Sequence, residues 1–318
     1  MFLALATIGI AGCNGFKKGD SGLLYKIVED KSGPSIKAGD FVSLNVIIKN
    51  DADSVMMSSY EAGHREQLIE KVQQKGDIFS ALTELSEGDS AIIKMNLDTM
   101  FKGRTKPPSV KGKYITYIIK IEKVIAKGNL SDEVFKGRYD EYMKTQADAT
   151  KKLEPGKIKK YIADKNLKVT ETASGLKYVV TKEGSGPKPG IGDTVVVNYV
   201  ARYITGKAFE ASDKATAIKE KLQINPGGQY KPLRFPIGGT GMIRGLAEGL
   251  SMLNKGAKAT FILPSSIAYG EQGNGLIQPF SPLVFDIESL DIIHPNPNAP
   301  KPVAPVMPQQ QQQQPVKK

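Results

Sequence analysis

The segment "SGLKYVVTKEGSGPKPGIGDTVVVNY" (174–199) decides the fold of this chain, because a second version of it occurs earlier in the sequence. It aligns without gaps to "SGLLYKIVEDKSGPSIKAGDFVSLNV" (21–46), with Ser-Gly-Leu, Tyr, Ser-Gly-Pro, Gly-Asp, Val and Asn at one fixed offset. Such repetition indicates two copies of one domain, which we place over residues 21–127 and 174–293. Two later pairs of segments extend the alignment: 81–97 with 249–265, and 118–124 with 284–290.

Each copy is predicted to be mostly β-sheet. In the second copy, "TVVVNYVARY" (194–203), "KATFILP" (258–264) and "LVFDIESLDII" (283–293) alternate or run apolar and are bounded by Gly or Pro, as strands commonly are. One short helix is predicted at about 243–253, because four apolar residues share one helical face. A sheet with one helix laid across it is an α+β domain. The four residues are Met242, Leu246, Leu250 and Leu253.

Residues 129–168 are predicted to form a helical connector between the copies. Ser131 followed by two acidic residues is a typical helix start. Pro155 fits the first turn of a second helix, where a missing N–H costs nothing. The apolar stripes of this connector would pack on either domain or on a second chain.

The two ends of the chain differ from the rest in composition. Phe2 to Ala11 is an apolar run, and Ile10-Ala11-Gly12-Cys13 resembles the lipobox of bacterial lipoproteins. We therefore interpret residues 1–12 as a lipoprotein signal peptide and Cys13 as the lipidated residue, with an ordinary secretory signal as the alternative. Residues 295–318 hold seven Pro and six consecutive Gln, which predicts a disordered tail, either a spacer or a docking segment.

Composition excludes several classes of site. The formal net charge is +11, but the Lys residues are spread along the chain, which does not favour nucleic-acid binding. The chain has only one cysteine and two histidines, so it offers few candidates for a Cys/His metal site or for a catalytic dyad that contains histidine. "GGTGMIRG" (238–245) departs from the dinucleotide-binding glycine pattern, because Arg244 occupies the last glycine position.

The second copy resembles the FKBP-type peptidyl-prolyl cis-trans isomerases. Three stretches carry the resemblance: "VVNYVARYITGKAFEAS" (196–212), "FPIGGTGMIRGLAEGLSMLNKGAKATFILPSSIAYG" (235–270) and "GLIQPFSPLVFDIESLDI" (275–292). The whole layout looks like exported bacterial lipoproteins with two such domains. The resemblance implies an α+β fold with two FKBP-like domains, each an antiparallel half-barrel sheet wrapped on a short helix.

An isomerase of this kind needs no acid, base, metal or cofactor. Rotation about an X-Pro bond is slow because it breaks amide resonance, with a barrier of about 18–20 kcal/mol. The twisted amide has lost charge separation, so a dry apolar pocket favours it over the planar form. A cup of aromatic and aliphatic side chains with one or two hydrogen-bond donors is therefore sufficient.

Carried over position by position, the resemblance gives the members of this cup. The Ile243 N–H and the Tyr269 hydroxyl would donate to substrate carbonyls. The expected catalytic residues are Tyr199, Phe209, Glu210, Ile243, Tyr269 and Phe285, and the expected substrate-binding residues are Leu233, Met242, Leu246 and Ile277. Taken singly, Tyr199, Ile277 and Phe285 are more typical of the core of a β domain, and only together, in the order of the family, do they favour a site.

This copy departs from the family at three positions. Glu210 stands where Asp is usual, Leu246 where many members have Trp, and Leu233 where Phe is common, with Phe235 two residues on. These departures predict weak isomerase activity and leave open whether a macrolide ligand binds, because the pocket floor is shallower. The segment 210–235 is longer than in the family and is either a flap beside the site or a surface loop.

The first copy departs further. Val46 occupies the position of Tyr199, Met56 and Met57 those of Phe209 and Glu210, and Phe101 replaces Tyr269. We expect no isomerase activity there. Its exposed Met and Phe side chains suit a holding, dimerising or partner-docking module.

The sequence therefore favours an exported prolyl isomerase that acts on proline-containing unfolded polypeptides. The alternative is a non-catalytic holdase chaperone or a subunit of an envelope complex. Either protein would be held at a membrane of the bacterial cell envelope by its lipid alone, facing the periplasm or the outer surface. The sequence leaves open whether the chain forms a homodimer.

Overall fold

A computed structural model of the chain describes residues 15–295, apart from 73–74, 107–109, 111, 223, 225–227 and 276. The signal peptide, Cys13 and residues 296–318 of the tail lie outside the described residues. Within the described part, the strands form two seven-stranded sheets, one from each half of the chain. This confirms the α+β class and two FKBP-like domains.

The first sheet has the strand order β1-β2-β6-β7-β3-β4, and β5 also pairs with β3. All of its pairings are antiparallel. Its strands are β1 (Lys17–Lys18), β2 (Leu24–Glu29), β3 (Phe41–Lys49), β4 (Val55–Ser58), β5 (Arg65–Leu68), β6 (Ser90–Asn96) and β7 (Tyr114–Ile125). Three short helices accompany it: α1 (Ser59–Ala62), α2 (Ile78–Leu82) and α3 (Leu97–Met100).

The second sheet repeats this order as β8-β9-β13-β14-β10-β11, and β12 also pairs with β10. The topology of the two sheets is therefore identical. Its strands are β8 (Thr170–Glu171), β9 (Lys177–Lys182), β10 (Thr194–Tyr203), β11 (Ala208–Ala211), β12 (Leu233–Pro236), β13 (Lys258–Leu263) and β14 (Leu283–Ile293). The helices of the second half are α5 (Lys214–Lys219) and α6 (Arg244–Ser251).

One hydrogen-bond motif occurs at the same place in both sheets. In the first, the Val46 N–H donates to Ser59 Oγ at 2.8 Å, and this hydroxyl donates to Asn45 Oδ1 at 2.9 Å. In the second, the Tyr199 N–H donates to Ser212 Oγ at 2.9 Å, which donates to Asn198 Oδ1 at 3.0 Å. The motif fixes the correspondence of Val46 with Tyr199 independently of sequence alignment.

The strand register corrects one of the predicted alignments. Val46 pairs with Ile119 in the first sheet, and Tyr199 pairs with Ile287 in the second. Segment 118–124 therefore corresponds to 286–292 rather than to 284–290. A slip of two residues preserves the alternation of a strand, so the hydrophobic pattern alone did not detect it.

Helix α6 lies on its sheet where the predicted helix of 243–253 was expected. Two glycines one turn apart face the sheet: a Cβ on Gly245 would lie 2.9 Å from Leu263 Cγ, and one on Gly249 would lie 2.5 Å from the Phe261 ring. The helix can approach this closely only without those side chains. Leu250 and Phe261 are fully buried at the contact, and each contributes roughly 1.5–3 kcal/mol through burial.

The connector is one helix, α4 (Asp132–Asp164), rather than the two that Pro155 suggested. Its cap is as predicted, with Ser131 Oγ accepting from the Val134 N–H at 3.3 Å. An interior proline costs about 3 kcal/mol in a helix, and packing at both ends offsets that cost. At one end the Tyr139 ring stacks on Phe41 of the first sheet at 5.3 Å, and at the other Ile158 packs on the second sheet.

The long segment 210–235 is packed on the second domain. Its helix α5 buries Ala217 against Val200 and Ala208. Arg202 on β10 donates to both carboxylate oxygens of Glu220, at 2.7 and 2.8 Å. Bidentate pairs of this kind are strong and directional. The described part of this segment is thus anchored to the sheet by a core and an ion pair.

Candidate functional site

The candidate site is built on the face of the second sheet that α6 covers. Alternate residues of β10 share a face, so Tyr199, Ala201 and Tyr203 all belong to the core under α6. Phe285 on β14 lies directly opposite Ala201, and the Tyr199 and Phe285 ring centroids are 6.3 Å apart. The strand register therefore places the predicted aromatic residues side by side.

The structure brings the predicted apolar residues together in one cluster. Leu246, Ile277 and Phe285 are buried in it, at 5–7% exposure. The other members are half-buried, as expected for the walls of an open cup. These half-buried members are Tyr199, Phe209, Leu233, Met242, Ile243 and Tyr269.

Glu210 joins the cup through a hydrogen bond rather than through burial. The residue is exposed on β11, and its Oε1 accepts from the Tyr199 hydroxyl at 2.6 Å. Burial raises the pKa of Tyr199 above the usual value for tyrosine, and the bond to Glu210 and its charge raise it further. The Tyr199 hydroxyl therefore remains protonated and oriented toward the carboxylate.

Two donors of the cup bind no acceptor among the described residues. Ile243 is the N-cap of α6, with extended backbone angles, and its N–H belongs to the unsatisfied group at a helix start. Tyr269 lies in the loop after β13, close enough to Tyr199 to affect its pKa, and its hydroxyl donates to no acceptor among the residues that the structure describes. These are the two groups that the resemblance assigned to substrate carbonyls.

The floor of the cup includes Tyr203, which the sequence analysis did not single out. The Tyr203 and Phe209 ring centroids lie 4.7 Å apart, so Tyr203 supports the Phe209 wall from below. Phe235 is buried, whereas Leu233, two residues earlier, is half-buried. The period-2 alternation of β10 is the signal that identifies Tyr203, since it shares the face of Tyr199.

The corresponding face of the first domain has no such polar pair. Val46 is buried, and Met57 packs on the first core at the position of Glu210. Met56, Met57 and Phe101 are half-buried, not exposed as the sequence analysis expected. Met57 is partly covered because it packs against the first core.

A second concave region, a cavity, lies beside the cup, between the domains. Its volume is about 810 Å³, and its lining includes His64 of the first domain, Tyr161 of α4, and Tyr203 and Gln278 of the second domain. Tyr199, Phe209 and Tyr269 do not line it. The cavity is therefore separate from the cup, although the two share the Tyr203 side chain.

Comparison with known proteins gives one consistent family. The family model for FKBP-type peptidyl-prolyl cis-trans isomerase matches residues 186–290. A probable isomerase of this type, FkpA of Neisseria meningitidis serogroup B, is 40% identical over 49% of this chain and 52% of its own length. FkpA of Aeromonas hydrophila is 32% identical over 64% of this chain and 67% of its own length.

Solved structures include proteins of the same type. The crystal structure of FkpA from Escherichia coli is 30% identical, covers 52% of this chain and 74% of that one, and gives a TM-score of 0.40. The chain spans about half the length of the first curated relatives that it matches.

Proposed function

We propose an enzymatic function for this chain, which belongs to the family of FKBP-type peptidyl-prolyl cis-trans isomerases. Its second domain speeds rotation about X-Pro bonds in unfolded polypeptides. The observation that carries the proposal is the cup itself. It combines apolar walls, the Tyr199–Glu210 hydrogen bond, and two donors, on Ile243 and Tyr269, that have no acceptor among the described residues.

The mechanism is selective binding of the twisted amide. The walls exclude water from the proline, which favours the rotated form because that form has lost its charge separation. The Ile243 N–H and the Tyr269 hydroxyl hold the carbonyls on either side of the rotating bond. Glu210 orients Tyr199, and no proton is transferred. The walls are Phe209, Leu233, Met242, Leu246, Ile277 and Phe285.

We further propose that the protein works in the bacterial cell envelope. The lipobox-like residues before Cys13 support export and a lipid anchor, and the named relatives come from bacteria. Among the described residues, no helix has both the length and the apolar character to span a bilayer. The anchor would be tested by mass spectrometry of the mature N-terminus.

The first domain is proposed to be non-catalytic. Val46 and Met57 replace the tyrosine and the carboxylate, so no hydroxyl is oriented there. It would hold, dimerise or dock a partner. A macrolide would bind only in the second cup, with reduced affinity because Leu246 gives a shallower floor than Trp.

A protease-coupled assay on an X-Pro peptide with the full chain tests the function. Removing the donor and one wall with Tyr269→Phe and Phe285→Ala is expected to lower kcat/KM by roughly 100-fold. Met57→Ala in the first domain serves as the matched control and is expected to leave the rate unchanged. A double variant that isomerises the peptide as fast as the parent would show that the site lies elsewhere.

A further inference from the structure

The loop between β13 and β14 carries two members of the cup, Tyr269 and Ile277. It starts with a 3₁₀ turn, Ser265–Ile267. The Ser265 carbonyl accepts from the N–H groups of Ala268 and Gly270, both at 2.9 Å. These two residues flank Tyr269, so Ser265 fixes the turn that presents the Tyr269 hydroxyl to the cup.

Ser265 is itself held from outside the domain, by Glu154 of the connector helix α4. Glu154 Oε1 accepts from the Ser265 N–H at 2.5 Å, and Oε2 accepts from the Ser265 hydroxyl at 2.7 Å. Glu154 is 8% exposed, and a buried carboxylate must replace its lost hydration with strong hydrogen bonds. The cup mechanism does not use this carboxylate, so its burial needs another explanation.

A second side chain of α4 contacts the far end of the same loop. Lys151 Nζ lies 5.1 Å from the centroid of the Phe280 ring and 3.7 Å from Glu271 Oε1. Phe280 has a φ of +55°, which is strained for a bulky residue, and its N–H donates to the Gly270 carbonyl at 2.9 Å. Cation–π contact and this hydrogen bond stabilise the strained end of the loop.

The first domain contacts the loop as well. Gln278 Nε2 donates to the His64 carbonyl at 2.7 Å, next to Ile277 in the sequence. Gly63 leaves room for this contact, since a Cβ there would lie 2.0 Å from Gln278 Cγ. The loop is therefore held at its start, at its end and near Ile277 by groups from outside its own domain.

We propose that α4 is a positioning element of the isomerase site. Glu154 acts through Ser265, and Lys151 acts through Phe280, to hold the loop that presents Tyr269. The inference rests on the proposed function, and it names Glu154 as a positioning residue that touches no substrate. It also links the two domains, since the other end of α4 packs on Phe41 of the first sheet.

The test compares full-length variants in two measurements, hydrogen exchange of the loop amides and kcat/KM for an X-Pro peptide. Glu154→Ala is expected to speed exchange at Ala268 and Gly270 at least about tenfold and to lower kcat/KM about tenfold. Glu154→Gln keeps the side-chain shape and one acceptor, so its effect is intermediate, and it serves if the Ala variant does not fold. Glu141→Ala, on the exposed face of the same helix, is the control and leaves both measurements unchanged.

A double-mutant cycle separates positioning from general destabilisation. If Glu154 acts through Tyr269, Glu154→Ala costs much less in a Tyr269→Phe background than in the parent. Equal costs in the two backgrounds, or loop exchange that Glu154→Ala leaves unchanged, would overturn the inference. A parent protein that fails to isomerise the peptide would refute the proposed function instead, while the exchange measurement still decides whether Glu154 holds the loop.

Discussion

The two copies share a fold down to individual hydrogen bonds, yet only one of them has the chemistry of the cup. The Asn-Ser pair that joins β3 to the start of α1 is reproduced beside β10. Next to it, Val46 replaces Tyr199 and Met57 replaces Glu210. The comparison teaches that the strand topology requires the structural motif, whereas the polar groups of the cup can be lost without loss of the fold.

The largest expected effects are losses of folding stability, and each concerns the hydrophobic core of one domain. Phe261→Ala removes a fully buried ring beneath α6 and is expected to destabilise the second domain by about 3–5 kcal/mol. Ile93→Ala removes the corresponding fully buried side chain of the first sheet and is expected to cost that domain about 2–5 kcal/mol.

Hydrogen exchange in each sheet measures the loss of stability of each domain. The isomerase rate is followed on the same variants as the temperature is raised. The rate is expected to fall at lower temperature in the Phe261 variant, and less in the Ile93 variant, because the first domain reaches the site only through α4 and the His64–Gln278 hydrogen bond. An equal loss of rate in the two variants would show that catalysis depends as strongly on the first core as on the second.

A smaller effect is expected at the helix–sheet contact. Gly249→Ala places a Cβ 2.5 Å from the Phe261 ring. The steric overlap should cost about 1–3 kcal/mol of folding free energy. At the matching position of the first copy, Ala81 already has a Cβ and is buried. Ala81→Gly there is expected to cost about 1 kcal/mol through helix propensity.

Thermal unfolding of the two variants measures this difference. A Gly249→Ala variant as stable as the parent would show that α6 can move away from its sheet, as the alanine of the first copy suggests. In that case Gly249 would not be required for the close approach of α6 to its sheet.

A still smaller effect is expected from the hydrogen bond that only the second copy has. Tyr199→Phe removes the donor to Glu210 but leaves an exposed carboxylate that water can solvate. We therefore expect a decrease in kcat/KM of roughly 3- to 10-fold. Peptide assays on Tyr199→Phe, Glu210→Gln and the double variant measure the coupling, and a fully additive double variant would argue against a shared role.

The smallest expected effect is that of pH. Burial raises the pKa of Tyr199 in the second copy and also that of Tyr117 in the first. A raised tyrosine pKa means that the folded state prefers the protonated hydroxyl, so this contribution to stability is complete below the ordinary value of about 10 and is lost as pH rises above it. The isomerase rate is therefore expected to stay constant between about pH 6 and 9.

Rate measurements over that range check the expectation. A bell-shaped profile would indicate proton transfer in the reaction and would contradict selective binding of the twisted amide. Above the ordinary pKa, Tyr199→Phe should make the second domain less sensitive to alkali while leaving the first domain as sensitive as before.

Much of the fold could be predicted because it is local and repeated. The apolar run of 194–203 predicted β10, and the four apolar residues near 243–253 predicted α6. The members of the cup came from resemblance rather than from periodicity, since Phe285 and Ile277 look like ordinary core residues on their own.

What the sequence did not reveal depends on contacts that are distant along the chain. Pro155 predicted a helix break, but packing at both ends of α4 outweighed its cost. Glu154 lies among lysines, and nothing near it in the sequence identifies its partner Ser265, which is 111 residues away. The anchoring of α5 through Arg202 and Glu220 was hidden for the same reason, since neither charge shows its partner in the sequence.

The continuity of α4 restricts how the length of the connector can change. A helix turns by about 100° and rises about 1.5 Å with each residue, so one inserted residue would swing the Phe41 contact around the axis relative to Ser265. Seven added residues complete about two turns and would move the domains about 10 Å apart while keeping nearly the same azimuth. Homologous connectors that preserve both contacts should therefore differ in length by whole turns.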